Sequence, residues 1–123
     1  MKKHILIADD SDVIRSIVEQ TLRLYHYDSI ITAIDGQDAL EKARAHKNEI
    51  ALYVFDVNMP RMDGISLVKE VRAFDASTPI IMLTTETDKA KMMTARDNGA
   101  TGWIIKPFQG DKFIRVVEMY LKN

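Results

Sequence analysis

The stretch that decides the reading is "ALYVFDVNMPRMDG", residues 51–64. Ala51 to Phe55 form a short, continuous apolar run, the pattern of a strand covered on both faces. A single carboxylate, Asp56, follows the run, and then Val57, Asn58 and Met59-Pro60. Taking a charge out of water costs free energy, so a carboxylate there needs a reason. One reason is ordinary: the strand has reached water and Asp56 opens a turn. The other is that Asp56 belongs to a site that uses it. The groups brought to the same place decide between them.

Outward from this run, apolar stretches alternate with helix-period segments five times. The expected strands are His4–Ala8, Ser29–Ala33, Ala51–Phe55, Pro79–Thr84 and Gly102–Lys106. Helical spacing appears at Val13, Ile14, Ile17, Val18 and Leu22, at Ala39, Leu40 and Ala43, at Ile65, Val68 and Val71, and at Phe113, Ile114, Val117 and Leu121. Asp88–Asn98 offers only Ala90, Met92, Met93 and Ala95, so this helix is expected to be the least firmly docked. Ser11 or Asp12 can cap the first helix, Gly36 precedes the second, and Asn98-Gly99 reads as a left-handed helix stop. Strand–helix alternation with short connections implies right-handed crossovers and a parallel sheet. The expectation is one α/β domain over residues 1–123, a flavodoxin-like (βα)5 doubly wound fold.

Composition narrows the function. Seventeen Lys and Arg against 18 Asp and Glu give a net charge of −1, which argues against a general nucleic-acid or membrane binder. Cysteine is absent, so disulfides and thiolate metal sites are excluded. "MKKHILIADD" starts like a secretion signal, but its apolar run stops at Asp9-Asp10, and no stretch is long enough to span a membrane. A soluble, cytoplasmic domain is expected.

Ligands of open parallel sheets bind outside the carboxyl ends of the strands, where strand order switches. Those ends carry Asp9 and Asp10, Asp56, Thr84 and Thr85, and Lys106. Singly, each has an ordinary explanation as a turn former, a β-former or a loop residue. Jointly they make a specific constellation. Three carboxylates in contact repel, and a divalent cation relieves them. With oxygen ligands only, the cation is a hard one such as Mg²⁺. His4, His26 and His46 lack metal-ligand spacing and read as surface or strand-end residues. Beside the cation a carboxylate can attack a phosphoryl donor to give an acyl phosphate, which makes Asp56 the expected nucleophile. Lys106 then offers on the order of 4 kcal/mol of attraction at ~4 Å, before desolvation. The Thr84 hydroxyl and backbone N–H groups near Asn58 and Thr85 can complete the cradle.

At "ILIADDS", "VFDVNMPRMDG", "IIMLTTE" and "GWIIKPF" the chain resembles, over its full length, the response-regulator receiver domains of two-component signalling. The resemblance implies strand order 2-1-3-4-5. It implies that Asp56 is the phosphoacceptor, that Asp10, Asp56 and the backbone carbonyl of Asn58 hold Mg²⁺, and that Asp9 acts through metal-bound water. It makes Thr84, Lys106 and the backbone of Thr85 phosphoryl contacts, Lys106-Pro107 a candidate cis bond, and Thr84 with Trp103 a switch pair. In the family the Thr moves toward the phosphoryl group and the aromatic turns inward, altering the face of the fourth helix, fifth strand and fifth helix. Lys89, Lys91, Met92 and Trp103 are placed on or near that output face. This sequence departs from the usual pattern in Trp103, more often Tyr or Phe, and in Thr85, often Ala. Partners implied are a sensor histidine kinase and a downstream protein, with a flagellar motor switch leading because Asn58 and Glu86 match the chemotaxis, CheY-like type. A phosphorelay carrier is the alternative. Either a stand-alone regulator or a domain cut from a longer chain fits the end just past the last helix; the start at Met1 favours the first, and in both the chain is expected to act as a switch and not as a turnover enzyme.

Two other classes compete. Haloacid-dehalogenase-like phosphatases share the Asp nucleophile, Mg²⁺, Thr and Lys, but place a second Asp two residues later, where this chain has Asn58. A flavodoxin-like flavin or nucleotide binder would need a phosphate cradle, and "DDSDV" after the first strand is acidic and lacks glycine.

Overall fold

The computed structural model describes residues 2–85, 89–107 and 109–121. Five strands and five helices alternate: β1 (His4–Ala8), α1 (Asp12–Leu24), β2 (Ile30–Ala33), α2 (Gly36–Ala45), β3 (Ile50–Asp56), α3 (Gly64–Arg72), β4 (Ile80–Thr84), α4 (Lys89–Asn98), β5 (Gly102–Ile105) and α5 (Gly110–Leu121). All strand pairs are parallel, in the order β2-β1-β3-β4-β5. The chain leaves β1 toward one edge and returns to start β3 on β1's other side. The switch point therefore lies between β1 and β3.

The period of two along each strand sorts the core into two layers. Leu6, Tyr53, Phe55, Ile80 and Met82 pack with Ala39 and Leu40 of α2 and Leu67, Val68 and Val71 of α3. Ile5, Ile7, Leu52, Val54, Ile81 and Leu83 face the other way, onto Val18 and Leu22 of α1 and Phe113, Ile114 and Val117 of α5. Strands buried on both faces explain the uninterrupted apolar runs.

Local detail refines the sequence reading. Ser11 is the cap of α1, its hydroxyl accepting from the Ile14 N–H at 3.2 Å. Gly36 does not precede α2 but begins it, with Asp35 as the cap accepting from the Asp38 N–H at 2.8 Å. Gly99 (φ 116°) ends α4, and the Ala100 N–H reaches back to the Ala95 carbonyl at 2.9 Å, a Schellman-type closure. In α4 the only buried residue is Ala95, against three or four in α2, α3 and α5, so the expected weak docking is present. The strand boundaries move by a residue at β2, β3, β4 and β5. At β3 the shift makes Asp56 the last residue of the strand instead of the first of a turn. Lys106 falls just outside β5, though its N–H still bonds the Thr84 carbonyl at 2.7 Å.

Gly64 fixes the start of α3 against the end of β3. Its N–H donates to the Val57 carbonyl at 2.8 Å, and a Cβ there would lie 2.1 Å from the Asp56 carbonyl oxygen. Neither backbone can yield without moving the strand end. Gly64→Ala is expected to destabilise the fold by about 1–3 kcal/mol, the usual cost of overpacking, measured by urea unfolding.

Candidate functional site

Strands β1, β3 and β5 converge their carboxyl ends on one pocket. Asp9, directly after β1, is fully buried, and Asp56, ending β3, is 6% exposed. Asp10 stands exposed at the rim. One carboxylate oxygen from each of the three lies within 4.8 Å of the others. The Lys106 ammonium, just past β5, donates to Asp9 Oδ2 at 3.1 Å and to Asp56 Oδ1 at 3.0 Å. Asp9 is held further: its Oδ1 accepts from the Ser11 N–H at 2.9 Å, and its carbonyl accepts from the Arg15 guanidinium at 2.7 Å.

The charges do not balance. Burial pushes the Asp56 carboxyl above its usual range, and the neighbouring Asp9 adds to this, while the Lys106 hydrogen bond only partly offsets them. For Lys106, burial alone would lower the ammonium's pKa, but its hydrogen bond to Asp56 and the charges of Asp56 and Asp9 reverse the sign and leave it raised. One ammonium among three carboxylates leaves an excess of negative charge in a pocket whose donors are all oxygen. That donor set fits a hard divalent cation. The three acids of the sequence reading are therefore brought together, and together with the lysine.

Thr84 is buried at the end of β4, and Thr85 is exposed just beyond it. Thr84, Met92 and Trp103 line one narrow crevice between the sheet and α4. Trp103 is 39% exposed on β5 and pairs in register with Met82. Lys89 and Lys91 are exposed as expected for an outer face. Met92 is half-buried and lines this crevice beside Trp103, and its neighbour Met93 is 53% exposed. Ile105, 49% exposed, also belongs to this surface and was not anticipated. Asn58 is exposed in the turn after β3, and Lys106-Pro107 is cis. Glu86 and Asp88 lie outside the described residues.

The structure adds a clamp on the loop that follows Asp56. Arg61 has a left-handed backbone (φ 67°), and its guanidinium donates to both oxygens of the buried Asp35, at 2.7 and 3.1 Å. That bond, with the Asp38 N–H, holds the Asp35 carboxyl below its usual range. Nothing in the spacing of Asp35 and Arg61 signals the pair, because they meet only through the fold.

Five parallel strands in this order, with acids gathered at the carboxyl ends beside the switch point, define an open doubly wound α/β domain of the flavodoxin-like class. The model of the response regulator receiver domain family matches residues 5–118, and the chain belongs to that family. Among its relatives, chemotaxis protein CheY1 of Helicobacter pylori is 42% identical over 106 residues, 85% of each chain. Solved structures that resemble it include chemotaxis protein CheY4 of Vibrio cholerae (TM-score 0.89, 39% identity, 98% of this chain and 100% of that one). Another is the CheY of a CheX-CheY-BeF3-Mg complex from Borrelia burgdorferi (TM-score 0.90, 28% identity, 94% of this chain and 87% of that one).

Because the folded-state pKa of Asp56 is raised above its unfolded value, its ionised form is disfavoured by folding. The penalty is absent below the unfolded pKa and grows as pH rises through the interval up to the folded one. At neutral pH without divalent cations, Asp56→Asn is therefore expected to raise the melting temperature. In a domain of this size each kcal/mol relieved corresponds to roughly 4 °C. The gain should shrink as the pH is lowered toward the ordinary carboxylate range, as calorimetry at several pH values will report.

Proposed function

We propose that the chain is a phosphorylation-activated switch of a two-component system, in which Asp56 accepts the phosphoryl group. The observation that supports this best is the meeting of Asp9, Asp10 and Asp56 around shared space with Lys106 bonded to two of them. In this reading Asp9, Asp10, Asp56 and the Asn58 backbone carbonyl hold Mg²⁺. Bound there, Mg²⁺ supplies charge neutralisation that lets a carboxylate approach a phosphoryl donor. An Asp56 oxygen attacks phosphorus, the P–N bond of a phosphohistidine donor breaks, and the leaving imidazole keeps the electron pair and takes up a proton. Lys106 shifts from its carboxylate partners toward the new phosphoryl oxygens. Thr84 and the Thr85 backbone contribute hydrogen bonds.

The donor is a sensor histidine kinase, and the output surface is the α4–β5–α5 face carrying Lys89, Lys91, Met92 and Trp103, with the exposed Met93 and Ile105 beside them. The similarity to CheY1 and CheY4 supports a role in chemotaxis, with a flagellar motor switch protein as the target. Asn58, which has no titrating proton to give at neutral pH, favours a slowly self-dephosphorylating switch over a phosphatase with many turnovers. Among the described residues no helix is long and apolar enough to cross a membrane, which is compatible with action in the cytoplasm.

With Mg²⁺, acetyl phosphate or beryllofluoride is expected to change Trp103 fluorescence, since Trp103 shares its crevice with Thr84, and Asp56→Asn is expected to abolish the change. Intact-mass analysis should find one phosphoryl group, absent from the variant. Sustained hydrolysis of p-nitrophenyl phosphate, or labelling that survives Asp56→Asn, would overturn the reading.

A further inference from the structure

At the end of the sheet remote from the acidic pocket, the fold gathers two imidazoles and a carboxylate. His4 opens β1, His46 caps the C-terminus of α2, and Glu49 immediately precedes β3. A nitrogen of each ring and a carboxylate oxygen of Glu49 lie within 4.8 Å of one another. The rings meet edge-on, centroids 5.3 Å apart at 73°, and His46 Nδ1 is 3.1 Å from Glu49 Oε1. Spacing along the chain gave these histidines no ligand pattern, because one comes from a strand and the other from the turn that β1 pairs beside.

The backbone under these side chains is tied down. The His46 N–H donates to the Lys42 carbonyl at 3.0 Å and the Glu49 N–H to the His46 carbonyl at 2.9 Å. Asn48 (φ 70°) supplies the left-handed residue of the turn, a conformation asparagine adopts readily. The Glu49 carbonyl in turn accepts from the Lys3 and His4 N–H groups at 2.9 and 3.0 Å, joining the turn to the start of β1. Both imidazoles are half-buried and Glu49 is exposed, so the three donors are held yet open to solvent.

We propose that His4, His46 and Glu49 form a binding site for a borderline divalent transition-metal ion of the zinc, copper and nickel class. Imidazole nitrogen selects such ions, whereas Mg²⁺ prefers an all-oxygen shell. Two histidines and one glutamate with a remaining open position is a donor set that zinc accepts, the fourth place going to water. A simple surface imidazole–carboxylate bond accounts for His46 and Glu49, and the His46 hydrogen bond holds the Glu49 carboxyl below its usual range. It does not account for the second ring turned edge-on into the same space. The molecule thus sorts cations by hardness at its two ends, oxygen donors at the carboxyl ends of the strands and nitrogen donors at the amino end of β1. A bound ion ties the first residue of β1 to the end of α2 and stabilises the folded chain by mass action.

The test is calorimetric titration of the untagged full chain with zinc chloride under saturating Mg²⁺, which occupies the oxygen pocket. The chain has no cysteine, so thiolates do not compete. One equivalent is expected to bind, the melting temperature to rise, and the imidazole NMR resonances of His4 and His46 to shift while those of His26 stay. His46→Ala and Glu49→Gln are each expected to weaken binding at least ~10-fold, the lower end of what even an outer-shell partner contributes, and His26→Ala to leave it unchanged. The resonance shifts are read in the wild-type chain and do not depend on any variant folding. Undiminished binding in His46→Ala, equal shifts at His26, loss of binding in Asp56→Asn, or no binding at millimolar zinc would each overturn the proposal.

Discussion

The rest of the structure is arranged around one electrostatic conflict. Asp9 and Asp56 are buried carboxylates whose oxygens approach each other and Asp10, with the Lys106 ammonium bonded to both. A buried ion pair is stable only when its geometry and extra hydrogen bonds offset desolvation. Here the geometry is good for two acids and leaves the third over. The pocket is tense by construction, and an added cation or phosphoryl group changes its energy more than it would change a balanced surface.

Holding such a pocket requires rigid supports, and they come from backbone contacts. The three acids issue from the ends of β1 and β3 and the lysine from just past β5, and the registers that set these ends side by side are fixed by apolar pairs such as Ile7 with Val54 and Phe55 with Met82. The loop after Asp56 is pinned at both ends. Gly64 sits against the Asp56 carbonyl, Gly36 leaves room for the Met62 carbonyl, which a Cβ would approach to 2.0 Å, and Arg61 grips Asp35 at the start of α2. Asp35 therefore serves twice, capping α2 and anchoring the loop that carries Asn58. Misplacing that loop by an ångström would separate the acids from their shared space.

What the chain discloses in advance follows from how each feature is encoded. Short, nearly continuous apolar runs alternating with helix-period segments read as strands covered on both faces, so the sheet and the placement of Asp9, Asp56, Thr84 and Lys106 at its carboxyl edge were legible. The bonds from Lys106 to Asp9 and Asp56 were not foreseen, the ammonium being expected on a phosphoryl group. Features made by two distant segments were no more legible: the Asp35–Arg61 clamp and the His4–His46–Glu49 cluster depend on which turn the fold sets beside which strand. Gly36 stands inside the first turn of α2 and not ahead of it, because the Met62 carbonyl comes too close there for any Cβ.

The same architecture suggests why a change at the pocket should be felt at α4 and β5 and not at α1. Thr84 ends β4 and pairs with Ile105, and its carbonyl accepts the N–H of Lys106, so one backbone hydrogen bond joins the pocket's lysine to the crevice's threonine. Trp103 stands on β5, and α4 beside it buries a single residue, Ala95. Elements that move come from the weakly held end of a fold, and α1, which buries Val18 and Leu22 in the second core layer, is firmly seated. If Asp56 takes up phosphate as proposed, Lys106 must turn from carboxylates to phosphoryl oxygens. The adjustment nearest to hand is a rearrangement of Thr84 and Trp103 beneath α4, where they line one crevice and the helix buries a single residue.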